Sequence, residues 1–367
     1  MGTKKVTKKD IMSATEKEHR EYLANESIFK KAFMYISMAV LFPLLEMIYF
    51  TLFFIYLLYT YPLLRPFLLL YLTNMYLILD GAPSWSGSNP LSRFYRNPSV
   101  HDFFRSLPFW KWSRLYFNAS LIKTSPLNPS ANHLLCYHPH GIISMGLQTS
   151  LGMDACNFKS NFPGINRHVA TLVASFKIPL FREWILLHGF VSCGSETMRK
   201  ILTTPNASLV LVPGGANEAL YSHPGTFKAH IMRRRGFCRI ALQTGCAIVP
   251  VLGFGENELY YTIDNEGDGV GGWIYRWQVW GMKKLSFSFP IMTHVLPRRE
   301  KIVVVVGGPM GGPYDESGMI MEGEVKRIEE PTTEEIDELH GRYVKGLEEL
   351  WNKHKDEYGK GIKFECA

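Results

Sequence analysis

Charge is nearly missing from one stretch of this 367-residue chain: between Ala32 and Leu79 only Glu46 and Arg65 carry any. A run this dense in Leu, Phe, Tyr, Ile and Met lacks the polar face that soluble helices normally keep, which favours a membrane segment over its alternative, a buried core hairpin of a soluble protein. The run is far longer than the ~20 apolar residues that one membrane span requires. Cysteine is sparse as well. Cys136, Cys156, Cys193, Cys238, Cys246 and Cys366 form no C-x-x-C pair and no dense framework, which excludes a disulfide-stapled secreted scaffold and implies a reducing, cytosol-facing environment. Zinc-finger spacing, an aromatic RNA-binding box and a basic helix with heptads are all lacking, so the net charge of +7 does not argue for nucleic acid. No internal repeat is found. The apolar run starts too far from Met1, and is too long, for a cleaved signal peptide.

The positive charge is concentrated at Lys4, Lys5, Lys8 and Lys9 and at Arg233, Arg234, Arg235 and Arg239, which suits anionic partners such as lipid headgroups, phosphates or coenzyme A. Pro43, Pro62 and Pro66 interrupt the apolar run. The cluster Pro62-Leu63-Leu64-Arg65-Pro66 is its natural apex, because proline ends a helix and biases its predecessor towards extended backbone. A helical hairpin is therefore expected, transmembrane or re-entrant. Basic residues flank it at Arg20, Lys30 and Lys31 and at Arg93, Arg96 and Arg105, so both ends should face the cytosol. On that face the sequons at Asn118 and Asn206 are chance matches. The chain divides into a basic segment (1–31), the hairpin (32–79), a linker or interfacial region (80–132) and a catalytic domain (133–367).

From His133 the pattern changes. Leu134 to Tyr137, Val169 to Val173, Ser208 to Val212, Ala247 to Leu252 and Ile302 to Val306 read as short apolar strands bounded by Pro and Gly. That is the signature of an α/β domain with a mostly parallel sheet covered on both faces. The tail from Thr332 reads as a helix with a capping box, Thr332 to Glu335, and a core stripe of Ile336, Leu339, Tyr343, Leu347 and Leu350. Gly267 to Gly272 reads as a flexible loop.

His138 and His140 directly follow the first of these strands, where an α/β sheet presents its catalytic groups. An extended His138 before Pro139 would set both imidazoles on one side, about 7 Å apart at ~3.3 Å per residue. An imidazole with a pKa of about 6.5 can take a proton from a hydroxyl and return it to a thiolate. Three other readings accompany this one. One histidine of the pair can be structural, bonding the turn at Pro139 and Gly141. A zinc site would need further ligands with clear spacing, which His168, His188, His223 and His230 do not provide. Cys136 shares a strand face with His138 and could act as a nucleophile, although such a cysteine is more often simply buried.

Tyr137-His138-Pro139-His140-Gly141 resembles the signature of the second type of diacylglycerol acyltransferases, a family that also contains monoacylglycerol and wax-alcohol acyltransferases. The likeness continues through Phe162-Pro163-Gly164-Ile165, Ala170-Thr171-Leu172, Pro179, Arg182 and Glu183. It extends to Gly214-Gly215-Ala216-Asn217-Glu218, Arg234-Arg235-Gly236-Phe237-Cys238-Arg239, and Val249-Pro250 with Phe254-Gly255-Glu256-Asn257-Glu258. Order and spacing agree over roughly three quarters of the chain, so the set is specific although each motif alone is weak. Gly307-Gly308-Pro309 departs from the pattern by lacking an acidic middle residue, and residues 80–132 match poorly.

The resemblance implies an endoplasmic-reticulum enzyme, also found on lipid droplets, with a catalytic domain like that of the glycerophosphate acyltransferases. It implies acyl-CoA as donor, a neutral lipid acceptor, the bilayer as partner, no metal and no cofactor; a homo-oligomer is compatible with it. The His-x-x-x-x-Asp dyad of those distant relatives is absent, since Ile143 and Met145 occupy the comparable positions. Glu218 is the candidate substitute for holding the histidine tautomer. Pro139, Gly141, Gly214 and Gly215 are expected to support the motif and the oxyanion, and Arg234 and Arg239 to bind CoA phosphates. The expected reaction is acylation of diacylglycerol with His138 or, preferably, His140 as base. Monoacylglycerol or a long-chain alcohol is the alternative acceptor, and a catalytically silent lipid-droplet hairpin protein is the reading from another class.

Overall fold

The computed structural model describes residues 43–78, 94–262, 270–285, 291–294, 296–310 and 327–367. The basic amino-terminal segment and the start of the apolar run lie outside them. Helix α1 (Pro43–Thr60) is followed by a 3-10 turn (Pro62–Leu64) and helix α2 (Arg65–Thr73), so the break falls on the expected proline cluster. Arg65 closes the end of α1, its guanidinium donating to the carbonyls of Leu58 (2.8 Å) and Tyr59 (3.1 Å), carbonyls that have no partner within the helix. Among the described residues no single helix is long and apolar enough to cross a membrane; the pair Glu46–Thr60 and Pro62–Tyr76 passes together, bent by 107°.

Two helices, α3 (Pro98–Arg105) and α4 (Trp110–Tyr116), lead into the sheet, whose seven strands are β1 (Ser120–Lys123), β2 (His133–His138), β3 (Asn166–Thr171), β4 (Phe190–Ser192), β5 (Ala207–Leu211), β7 (Ala247–Phe254) and β8 (Val303–Val306). They lie in the order β1-β8-β7-β2-β5-β3-β4. Five of them, β7-β2-β5-β3-β4, form a parallel block; β8 runs antiparallel to β7, and β1 parallel to β8. The mostly parallel α/β sheet read from the apolar runs is thus present, with a reversed pair at one edge. β1 falls in the segment read as linker, so the sheet begins before His133. The central strands are buried along their whole length: β2 and β7 have no exposed residue, as double-sided coverage demands.

Helices α5 (Phe181–Leu187), α6 (Ser195–Leu202), α7 (Ala216–Leu220), α8 (Gly236–Thr244), α9 (Val270–Leu285) and α10 (Thr333–Tyr358) follow, with short helical turns at Met145–Leu147 and Phe158–Asn161 between β2 and β3. Gly271 and Gly272 belong to the first turns of α9 rather than to a loop, while 263–269 lie outside the described residues. A small parallel pair, β6 (Thr226–Ala229) and β9 (Lys363–Cys366), clamps the carboxyl terminus against the segment that precedes the arginine cluster. The two apolar layers sit on opposite sheet faces. One joins Leu134, Cys136 and Leu209 to α8 and α10; the other joins Leu135, Tyr137 and Val210 to Tyr116, Phe117 and Phe158.

The bent pair docks on α5. Phe50 packs on Phe181 and Trp184, and the Tyr71 hydroxyl donates to Glu183 (2.5 Å) while accepting the Leu180 amide (3.0 Å). At the other end of the chain α10 starts as its sequence requires: Thr332 accepts the Glu335 amide (3.2 Å) and Glu335 accepts the Thr332 amide (2.8 Å). Removing the hydroxyl, Thr332→Ala, should cost about 1 kcal/mol, and lower the thermal midpoint of the purified chain by about 2–4 °C; an unchanged midpoint would show that packing alone fixes this helix start.

Candidate active site

The site is built at the carboxyl ends of β2, β3 and β5. β2 delivers His138 on the face that carries Cys136, towards α10, where the ring is fully buried. Its Nδ1 donates to Glu218 Oε1 (2.9 Å) and its Nε2 accepts from the Tyr343 hydroxyl (3.0 Å). Both nitrogens are therefore committed. The strand ends there, with a cis His138–Pro139 peptide and Gly141 at φ +58°. The alternation that would have kept both imidazoles on one side stops, and His140 goes elsewhere. Its part-buried ring lines a cavity of about 350 Å³ together with Ile142, Ile143 and Ser144 of the following turn, Val169 to Leu172 at the end of β3, and Leu211, Val212 and Gly215 at and beyond the end of β5. His140 Nδ1 donates to the Gly141 carbonyl (3.0 Å), which leaves Nε2 as the basic nitrogen. Burial pushes its pKa below the ordinary imidazole value of 6.5, against the opposing pull of the Gly141 carbonyl and the Glu218 charge.

Glu218, on α7, is the hub. Oε1 accepts the His138 ring proton and the His230 amide (3.0 Å), and Oε2 accepts the His140 amide (2.7 Å). Of the two imidazoles the carboxylate bonds the ring of His138 alone; towards His140 it holds the backbone, not the ring. The strand ends at His138, so His140 is no longer held to the face that meets the carboxylate. Gly214 is what lets Glu218 fold back, because a Cβ there would overlap the carboxyl group. Gly215 lines the cavity, yet its amide is used in a turn to Val212 (3.1 Å), so it is not available as the oxyanion donor that the sequence suggested.

A second buried carboxylate was missed as a site element, although its block was noted. Glu256 accepts the Tyr137 hydroxyl (2.6 Å) and the amides of Met145 (2.8 Å) and Gly146 (2.7 Å). It thereby pins the helical turn after the histidine motif. A Cβ on Gly141 would lie 2.5 Å from Glu256 Cγ, so this glycine is needed for space as well as for its left-handed φ. Burial lifts the Glu256 carboxyl to about 7, against the pull of its three donors. Tyr343, read as part of a packing stripe, is buried in it and also bonds His138; the signal was a hydroxyl within an otherwise aliphatic row.

Other expected residues are not brought together with the cavity. Arg234 and Arg239 are exposed and do not line it; beside them Arg235 pairs with Asp337 (2.8 Å). Cys136 is buried against Cys238 and Cys246, and burial pushes its thiol pKa well up, the opposite of an activated nucleophile. Among the described residues no three His, Cys, Asp or Glu side chains gather as a metal-ligand set.

Against this geometry, known proteins can be compared. The family model described as diacylglycerol acyltransferase matches residues 68–365. A protein of Umbelopsis ramanniana, diacylglycerol O-acyltransferase 2B, is 34% identical over 83% of this chain and 82% of its own length. Diacylglycerol O-acyltransferase 2 of Xenopus tropicalis is 34% identical over 79% of this chain and 76% of its own length. The mouse 2-acylglycerol O-acyltransferase 1 is 35% identical over 70% and 75% respectively.

The buried hub makes a direct prediction. Glu218→Ala strands the N–H donors of His138, His140 and His230 and should destabilise the fold by about 3–5 kcal/mol, read as a large fall in thermal midpoint. Glu218→Gln turns an amide NH2 towards one of these donors and should fall between the two. A Glu218→Ala midpoint equal to that of the wild type would show that the carboxylate does not organise the site.

Proposed function

We propose, for a chain that belongs to the diacylglycerol acyltransferase family, that His140 is the general base in transfer of an acyl group from acyl-CoA to the hydroxyl of diacylglycerol. The protein is an acyltransferase. The observation that carries the histidine assignment is the different setting of the two rings. His138 has both nitrogens bonded in a sealed core, whereas His140 faces an apolar cavity with Nδ1 fixed and, among the described residues, no protein partner at Nε2.

In this reading the acceptor hydroxyl gives its proton to His140 Nε2 as its oxygen attacks the thioester carbonyl. The tetrahedral intermediate collapses with cleavage of the C–S bond, and the imidazolium returns the proton to the departing thiolate. The product is triacylglycerol and free CoA. The oxyanion needs donors; Ile142 and Ile143 line the cavity, and their amides have no protein acceptor among the described residues, which supports them over Gly215. Glu218 and Glu256 act as positioning residues, one on the backbone of His140 and the other on the turn that follows. Lipid access is supported by α1, whose Glu46 and Met47 form part of the cavity wall. It is supported too by exposed Leu52, Phe53, Ile55, Leu63, Phe67 and Leu70 on the bent pair, a patch too apolar for water. Trp273, Trp277 and Trp280 form an exposed stripe along α9, the residue type favoured where lipid meets water. The exposed Arg234 and Arg239 remain candidates for the CoA phosphates outside the cavity.

The test is acyl transfer from labelled oleoyl-CoA by membranes containing the wild type, His138→Gln or His140→Ala, with diacylglycerol, monoacylglycerol and hexadecanol offered separately. His140→Ala should lose about 10²–10⁴-fold in rate with little change in thermal midpoint, whereas His138→Gln should lower the midpoint. Full activity in His140→Ala would refute the assignment. Absence of any product from folded wild type would favour a silent hairpin protein instead.

The pH dependence follows from the same ring. A base whose pKa is lowered stays unprotonated to lower pH, so kcat/KM should hold through neutrality and fall only below pH 6.5. An acid limb centred above 6.5 would point to another group.

A further inference from the structure

The cavity reaches deeper than the chemistry at His140 requires, and the register of the sheet measures how far. Val169 of β3 pairs with Phe190 of β4 and with Val210 of β5, and Val210 pairs with Leu135 of β2. Leu135 lies three residues before His138, where β2 ends. At ~3.3 Å per residue, Val169 and Phe190 therefore stand about 10 Å below the end of that strand. Both nevertheless line the same cavity as His140, which lies beyond the strand end. At this depth the wall includes Trp110 of α4 and Met153. They pack in one apolar cluster with Phe190 and Trp184, and each is 2% exposed, so the cavity has no outlet to solvent past them.

This closed end is held in place. The Trp110 indole N–H donates to the Phe104 carbonyl (3.0 Å), and its ring lies 5.3 Å from that of His188 and 6.5 Å from that of Trp184. The Met153 amide donates to the Gln148 carbonyl (2.7 Å), and its own carbonyl accepts from the buried Arg167 guanidinium (3.3 Å). A close-packed floor with a fixed backbone resists a longer occupant, because extra methylenes force side chains off their rotamers. An apolar slot of this kind suits a hydrocarbon chain, at about fourfold in affinity for each methylene taken out of water.

Two substrates of the reaction bring such chains. Diacylglycerol carries two on one glycerol, and a slot closed at its far end cannot take both; they can stay in lipid beside the exposed apolar side chains of α1 and α2. The donor carries one chain, and it arrives on a water-soluble thioester with no lipid of its own to lie in.

We propose that Trp110, Met153 and Phe190 form the floor of a slot for the donor acyl chain and set the longest chain that the enzyme transfers. The inference rests on acyl transfer at His140 and adds the residues that select the donor. Chains that stop short of the floor lose affinity with each missing methylene, and chains that pass it must displace a packed side chain.

The experiment measures kcat/KM for octanoyl-, palmitoyl- and erucoyl-CoA, with diacylglycerol as acceptor, in membranes containing full-length wild type, Met153→Ala, Phe190→Ala or Met153→Trp. Wild type should disfavour erucoyl-CoA. Met153→Ala and Phe190→Ala lower the floor and should raise the erucoyl-to-palmitoyl ratio about tenfold, the effect of roughly two more buried methylenes. Met153→Trp raises the floor and should lower the palmitoyl-to-octanoyl ratio by a similar factor. At fixed palmitoyl-CoA, the ratio for dierucoylglycerol against dipalmitoylglycerol should stay at the wild-type value in all three. Because Met153 and Phe190 sit on separate elements, a variant that does not fold leaves the other to decide. Donor ratios within twofold of wild type in the folded variants, a change that follows the acceptor's chains instead, or a wild type that takes erucoyl-CoA as readily as palmitoyl-CoA overturns the slot and leaves acyl transfer standing. Failure of wild type to transfer any of the three chains overturns both, and is distinguished by that absence of product.

Discussion

The site depends on one buried carboxylate that must find enough proton donors. Glu218 has left water, and an ion in that position is tolerated only where hydrogen bonds replace its solvent. It finds three, and each comes from a different place in the chain: the His138 ring at the end of β2, the His140 amide beyond Pro139, and the His230 amide after β6. Satisfying that one group therefore fixes the exit of the central strand, the start of the cavity wall and the approach to the arginine cluster. The glycine before it and the carboxyl-terminal clamp follow from the same requirement. Gly214 vacates the space the side chain folds into; β6 is held by β9, which steadies the segment that presents the His230 amide.

The second carboxylate repeats this logic on the opposite sheet face. Glu256 follows the end of β7, yet its oxygens serve the turn after β2 through the Met145 and Gly146 amides. Between them the two carboxylates grip the His140 turn at both ends without touching its ring. That separation matters chemically. A base bonded to a carboxylate gains basicity but gives up freedom at one nitrogen; the proposed base, His140, instead takes its orientation from the Gly141 carbonyl, and burial holds its pKa below the ordinary imidazole value.

Much of this was legible in the chain because the signals are local. Five apolar runs became β2, β3, β5, β7 and β8 within a few residues, the capping box at Thr332 formed, and the proline cluster broke the hydrophobic run. What escaped depends on partners far apart in sequence. β1 has only four residues, and its place at the sheet edge is set by β8 some 180 residues later. The reversed direction of β8 leaves no trace in its Val-Val-Val-Val composition, since burial on both faces erases periodicity. Likewise, nothing in His-Pro-His says that the rings part company. Glu218 was picked out as a partner, but which atom of the motif it serves depends on where β2 ends.

Glu46 shows where chemistry and topology meet. By composition it is an anomaly: a carboxylate in a run otherwise fit for lipid, where an unpaired charge is expensive. The bend in the helix pair resolves the conflict, because it lets α1 rest on α5 and turns this residue towards Trp184 and the cavity while much of the apolar surface stays outside. The lone acid is then a polar feature of the cavity rather than a defect of the helix. A straight span would have had to expose Glu46 to lipid or do without it, so the break at Pro62 and the acid at Glu46 are better understood together than as separate departures from a membrane helix.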